Sequence, residues 1–214
     1  MNIALIGGTG YVGAPVLVEL LRRGHRVTAL TRQPITVTPR DGLTVVAADA
    51  LDAGQVARAV AGHEAVISAF NPGWSEPRLY ELFLQGSQSI VDGVKAAGVK
   101  RLLIVGCAGS LYVAPGVQLI DTPLFPILYK QGGLAARELL NRILRETMLD
   151  WSFILPPVEL TPGPRTGRYR LGTDKLLFGE SGQTAELSVP DLAVAVVDEI
   201  EQSRHVQRRF TVAN

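Results

Sequence analysis

Three glycines at spacing three, Gly7, Gly10 and Gly13, stand near the start of the chain in IGGTGYVG, where an apolar run hands over to an amphipathic one. Glycine weakens the interior of a strand or a helix, so this placement needs a reason, and phosphate chemistry supplies one. Gly7 permits a tight turn, Gly10 lets backbone approach a pyrophosphate, and Gly13 lets the helix pack closely on the strand before it. Thr9, Tyr11 and Val12 fill the turn, and the amides at the helix N-terminus would face the phosphates, where the helix dipole favours negative charge. The competing reading is a glycine-rich turn with no ligand.

A second candidate follows at the end of the next apolar run, Arg26–Thr31. A site for NAD usually carries Asp or Glu there, for the ribose hydroxyls. This chain has no acid between Glu19 and Asp41 and has Arg32 instead. A guanidinium can pair with a 2′-phosphate, so NADP is expected in preference to NAD; otherwise Arg32 is simply solvated. Further on, Ser68-Ala69-Phe70-Asn71-Pro72-Gly73 should line the cofactor ribose and the edge of the nicotinamide, unless Pro72 and Gly73 mark a plain loop. Phe70 and Trp74 could stack on a flat substrate, but each taken singly reads as a core aromatic. Cys107 is the one cysteine, with no histidine near it in sequence, and reads as small apolar packing rather than a nucleophile. His25, His63 and His205 show no ligand spacing, so no metal site is expected.

The elements that must position these residues alternate. Strands are expected at Asn2–Ile6, Arg26–Thr31, Leu43–Ala47, Glu64–Ala69, Arg101–Gly106 and Asp150–Leu155. Helices are expected at Tyr11–Arg23, Ala53–Ala61, Leu79–Ala97 and Leu134–Thr147. Strands apolar on both faces, alternating with amphipathic helices, predict an α/β fold with a doubly wound parallel sheet. Past Leu155 prolines and glycines break the pattern. Short strands at Arg168–Leu171 and Ala185–Ser188, a helix at Asp191–Gln202 opened by Pro190, and a strand at Arg209–Val212 complete the reading. One domain over residues 1–214 is expected, with residues 156–190 inserted on the substrate side, at the carboxyl edge of the sheet.

Composition narrows the classes. Hydrophobic residues make up 47% and charged residues 19%, enough apolar content for a sizeable core. Lys plus Arg number 21 against 20 Asp plus Glu, and this balance makes no electrostatic case for nucleic acid or a membrane surface. A single cysteine excludes an intrachain disulfide and fits a reducing compartment. The N-terminal apolar stretch is broken by glycines and lacks a basic segment before it, unlike a signal peptide. A cytoplasmic protein, monomer or homodimer, acting on a small molecule, is the expectation.

The GxxGxxG spacing resembles the extended and atypical short-chain dehydrogenase/reductase families. LLIVGCAGSLYVAPG, LDWSFILPP, GPRTGRYRLGTDKLL and ELSVPDLAVAVVDEIE are similar to a bacterial group described as NAD(P)H-flavin reductases or NAD(P)H-binding proteins. Pro156-Pro157, TGRY at Thr166–Tyr169 and Ser188…Asp191-Leu192 also resemble, more distantly, the biliverdin-IXβ/flavin reductases. The resemblance implies a Rossmann-like sheet and hydride transfer from NADPH. It implies that Asp49 faces the adenine, flanked by Ala50 and Leu51, although Asp49 and Asp52 both precede a helix and read equally as caps. Gly106, Cys107 and Pro156 would lie beside the nicotinamide. Ser110 stands where the family serine would be, to bond a substrate carbonyl or to cap a turn.

The family's Tyr-x-x-x-Lys pair is missing. Its positions fall at Gly133 and Arg137, while Tyr129 and Lys130 are adjacent and do not share a helix face. This departure argues against alcohol dehydrogenase chemistry. A flavin, quinone or tetrapyrrole, however, can accept hydride and take its proton from water. An NADP-binding redox sensor without turnover is the alternative. An extended-family epimerase is disfavoured by the short C-terminal region.

Overall fold

Strands β1 (Asn2–Ile6), β4 (Ala65–Ser68) and β5 (Arg101–Val105) are buried over nearly their whole length, so each must be covered on both faces. The computed structural model, which describes residues 1–34, 38–179 and 181–214, shows how. The remaining elements are α1 (Gly13–Arg22), β2 (Arg26–Thr31), β3 (Leu43–Ala47), α2 (Ala53–Val60), α3 (Leu79–Ala96), the hairpin β6 (Tyr112–Ala114) and β7 (Val117–Gln118), α4 (Lys130–Ile143), β8 (Asp150–Leu155), β9 (Glu159–Thr161), β10 (Arg170–Gly172), β11 (Glu186–Ser188), α5 (Val189–Gln202) and β12 (Arg208–Ala213).

Eight strands form one sheet in the order β10-β12-β8-β5-β4-β1-β2-β3. Neighbours are parallel except β10, which runs antiparallel to β12 at the edge. This mostly parallel sheet with helices on both faces is the expected Rossmann-like fold. Side chains alternate between the faces along each strand. Ala4, Ile6, Val66, Leu102, Ile104 and Phe153 pack under α2, α3 and α4 with Val56, Phe83, Val94 and Leu139. Ile3, Leu5, Ile67, Leu103 and Ile154 pack under α1 and α5 with Val16, Leu20, Leu192 and Val196. Among the described residues no helix is long and apolar enough to cross a membrane.

Helix α4 begins at Lys130 and ends at Ile143, four residues earlier at both ends than its sequence suggests. Gly132 and Gly133 look like breakers, but tertiary packing decides. A Cβ on Gly133 would stand 2.7 Å from Ile120 Cδ1 and 2.9 Å from the Phe125 ring. Side chains fill the space that the glycines leave, which outweighs the roughly 1 kcal/mol that each glycine costs a helix. The hairpin β6–β7 and strand β9 were not expected from sequence. They span three residues or fewer each, too short to show a period.

The segment after β8 is held against α5 and α1 by two carboxylates. Asp191, fully buried, accepts hydrogen bonds from the Thr166 amide (2.8 Å), the Gly167 amide (2.7 Å) and the Thr166 hydroxyl (2.6 Å). Ser188 caps α5 by accepting from the Asp191 amide and donates to Pro164 O at 2.8 Å. Arg165 donates to Glu19 on α1 at 2.8 and 2.9 Å. Hydrogen bonds from Arg22, Arg165 and Arg23 hold the Glu19 carboxyl well below the usual range against the cost of burial. Asp191→Ala removes the acceptor of three donors. With hydrogen bonds to a charged group worth about 1.5–3 kcal/mol and roughly 2–4 °C of Tm per kcal/mol at this size, its thermal midpoint should fall by about 5–10 °C. An unchanged midpoint would show that this carboxylate does not hold the segment.

Candidate functional site

At the carboxyl ends of β1 and β4 the chain leaves in opposite directions, since β2 and β3 lie on one side and β5 and β8 on the other. Such a switch point opens a crevice where ligands bind. Ile6 pairs with Ser68, so Gly7 faces Ala69. Gly7 has φ +80°, and a Cβ there would lie 2.4 Å from Ala69 O. A Cβ on Gly13 would lie 2.0 Å from Gly7 O. Both glycines therefore answer to packing. Gly10 differs: it is exposed, and a Cβ there would meet only Gly7 O, at 3.3 Å.

The turn closes through Gly10 N–H on Gly7 O (3.0 Å) and Ala14 N–H on Gly10 O (2.9 Å). Helix α1 has no side-chain cap and no acid in its first turn. Among the described residues the Tyr11 and Val12 amides have no hydrogen-bond acceptor. Uncapped donors at a helix start make an anion site.

A cavity of about 300 Å³ opens beside this turn, lined by Gly7, Thr9, Arg32, Asp49, Ala50, Leu51, Phe70 and Asn71. Arg32 is exposed at its edge and forms no ion pair among the described residues. The cap of α2 belongs to Asp52, which accepts from the Gln55 amide at 2.9 Å and whose carboxyl that hydrogen bond lowers. Asp49 Oδ1 accepts instead from the Leu51 amide at 3.0 Å, two residues on. Phe70 packs as the core aromatic expected of it, 6.2 Å from Phe83, with its ring against Gly86. Pro72, Glu76 and Leu82 line the same cavity. Nothing in the local sequence marks Glu76 or Leu82, which the loop before α3 and the first turns of α3 bring there. An exposed guanidinium at Arg32, uncapped amides and an open face at Gly10 all fit a nicotinamide dinucleotide.

The candidates at the end of β5 are differently disposed. Gly106 is set by packing, since a Cβ would stand 2.1 Å from the Phe153 ring. Cys107 accepts from the Gly109 amide at 3.5 Å, and burial pushes its thiol up, as suits a packing residue. Pro156 is buried at the end of β8. Ser110 is fully buried, and its Oγ has no hydrogen-bond partner among the described residues. Lys130 donates to Ile120 O. Tyr129 lies edge-on to Trp74, ring centroids 5.0 Å apart. The adjacent pair thus points two ways, and no hydrogen bond joins Ser110, Tyr129 and Lys130. Arg137, where the sequence resemblance would put the relay lysine, is held by Asp121 at 2.8 Å and Gln118 at 3.3 Å. Trp74 is not a core residue: it keeps 47% of its surface exposed, because it packs outward onto α4.

Each histidine has its own partner, His25 with Glu201, His63 with Thr28 and His205 with Glu199. Among the described residues no cluster of three metal-ligating side chains occurs. A second, more open cleft of about 710 Å³ runs between α3, α4 and the β6–β7 hairpin, past Tyr80, Tyr112 and Arg137.

Residues 7–202 match a family model described as NAD(P)H-binding. The chain belongs to this NAD(P)H-binding family. Within reach of it is the uncharacterized protein YwnB of Bacillus subtilis (strain 168), 33% identical over 217 residues, 100% of this chain and 99% of its own. A candidate epimerase from Bacteroides thetaiotaomicron, known from its crystal structure, is 42% identical with a TM-score of 0.92, over 99% of this chain and 96% of that one. A candidate NADH-flavin reductase from Streptococcus pneumoniae TIGR4 is 29% identical with a TM-score of 0.85, over 100% and 99%. The expected kinship with the atypical short-chain dehydrogenases is borne out.

For this NAD(P)H-binding chain, the free face of Gly10 allows a test that spares the fold. Gly10→Val puts a branched side chain where a pyrophosphate on this turn would approach the backbone. Calorimetric titration should show binding of the nicotinamide dinucleotide, NADH or NADPH, lost, with an unaltered circular dichroism spectrum. Undiminished affinity would mean that the glycines serve only as a turn.

Proposed function

We propose that the protein is an NADPH-dependent reductase that passes hydride to a planar small acceptor, a flavin or a quinone-like ring. The observation that carries this reading is that the uncapped turn Gly7–Gly13 and Arg32, without an ion pair among the described residues, open on one cavity. The turn suits a pyrophosphate, and Arg32, with no acid at the end of β2, suits a 2′-phosphate. Asp49, Ala50 and Leu51 would hold the adenine, and Ala69, Phe70 and Asn71 the ribose. Gly106, Cys107 and Pro156 would border the nicotinamide, and residues 156–190 would cover the substrate side. A bound nicotinamide supplies a hydride, two electrons with one proton. The acceptor needs one further proton. With glycine and an ion-paired arginine at the relay positions, water is its source. Ser110, buried with an unspent hydroxyl, would orient an acceptor carbonyl. The flavin-reductase relative supports a flavin as acceptor, and the near-neutral charge supports a small molecule over nucleic acid or membrane. A reducing cytoplasm suits the chain, as monomer or homodimer.

The missing relay also favours a second reading, an NADP-binding redox sensor with no turnover. Steady-state oxidation of NADPH with FMN, riboflavin and menadione separates the two, since a sensor binds NADPH and reduces none of them.

Arg32→Glu should weaken NADPH about ten- to a hundredfold, the worth of a charge-assisted hydrogen bond, and improve NADH. A wild type with no preference between the cofactors would refute the role of Arg32. If the second proton comes from water, Ser110→Ala, Tyr129→Phe and Lys130→Ala should each cost less in turnover than the roughly 10²–10⁴-fold of a lost general acid. A thousandfold loss in Tyr129→Phe or Lys130→Ala, with cofactor binding intact, would restore a side-chain acid.

A further inference from the structure

We propose that Trp74 and Tyr129 form the acceptor-binding wall of this site and take a flat aromatic ring with carbonyl groups on its edge; the assignment rests on the reductase reading above. Trp74 stands three residues after Asn71 and two after Pro72, both of which line the cavity. Its indole rests on Gly132 of α4, where a Cβ would stand 2.5 Å from Cζ3. The helix therefore omits a side chain at the place where the ring sits. Tyr129 holds the indole from the side, with ring planes at 76° and centroids 5.0 Å apart. The helix start beneath Tyr129 is fixed in turn by Lys130, tied to Ile120 O.

Two elements thus brace an aromatic pair that the core does not absorb. Trp74 and Tyr129 remain 47% and 41% exposed. Their polar handles are unspent, for among the described residues neither the Trp74 indole N–H nor the Tyr129 hydroxyl has a hydrogen-bond partner. The other tryptophan shows the contrast: Trp151 is 2% exposed and donates to Glu146 O at 3.0 Å. An edge-to-face pair leaves a ring face open for offset stacking, and electron-rich indole suits an electron-poor ring. The two unspent donors suit carbonyl oxygens on that ring's rim. Ile127 and Leu128, 86% and 70% exposed, extend the apolar surface beside Tyr129. Isoalloxazines and naphthoquinones share this chemistry, a planar electron-poor ring with carbonyls.

The test is calorimetric titration of riboflavin and of menadione into the full chain loaded with NADP⁺, so that binding is read without turnover. Trp74→Leu and Tyr129→Leu should each weaken the bound probe roughly three- to tenfold, the worth of an aromatic contact. Trp74→Phe, which keeps a ring and loses the indole donor, should weaken the probe less than Trp74→Leu does, and NADP⁺ affinity should be unchanged in all three. Loss confined to riboflavin or to menadione names the source of the ring. If wild type binds a probe and Trp74→Leu binds it equally well, the wall is wrong while the reductase reading stands. If Trp74→Leu instead alters the sedimentation of the chain and leaves probe affinity alone, the patch seats a second copy and the proposal falls. If wild type binds neither probe, the wall and the planar acceptor fall together.

Discussion

The carbonyl of Gly7 lies 2.0 Å from where a Cβ on residue 13 would stand, and the site depends on that approach. Because residue 13 has no side chain, α1 starts directly against the end of β1. Because residue 7 has none, β1 and β4 close on each other at Ala69. These contacts bring a helix N-terminus, a tight turn and the switch point of the sheet to one place. They also leave Gly10 on the open side of the turn with little in front of it. A larger residue at either packing position would move the helix start away from the strand end and misdirect its amides.

A hydrogen-bonded unit on the same face of the sheet, at α5, complements this. Thr166 and Gly167 lie far in sequence from Ser188 and Asp191, and in the fold they are one cluster around a single buried carboxylate. Arg165 joins that cluster to Glu19 on α1, the helix that follows the glycine turn. The segment that would cover the substrate is thus anchored to the same helix that would hold the cofactor, so the two halves of the site share a frame.

Much of this was legible in the sequence. Four strands, Asn2–Ile6, Arg26–Thr31, Leu43–Ala47 and Asp150–Leu155, have the bounds that their β-branched and apolar runs suggest. The cavity gathers Gly7, Thr9, Arg32, Asp49, Ala50, Phe70 and Asn71, because each stands within a few residues of a strand end, and parallel strands put those ends on one edge. What stayed hidden depends on contacts between distant segments. The early start of α4 follows from Ile120, Phe125 and Trp74 packing over Gly132 and Gly133. The exposure of Trp74 and the divergence of Tyr129 from Lys130 follow from that same start. The ambiguity between Asp49 and Asp52 was local, and geometry assigns the cap to Asp52.

The measurement that bears most directly on the central claim is a crystal structure of the chain grown with NADP⁺. The pyrophosphate should lie on the amides between Gly10 and Gly13, the 2′-phosphate beside Arg32, and the nicotinamide near Ser110 and Pro156. A dinucleotide bound instead in the cleft past Tyr80 and Arg137, or with its adenosine phosphate turned away from Arg32, would contradict it.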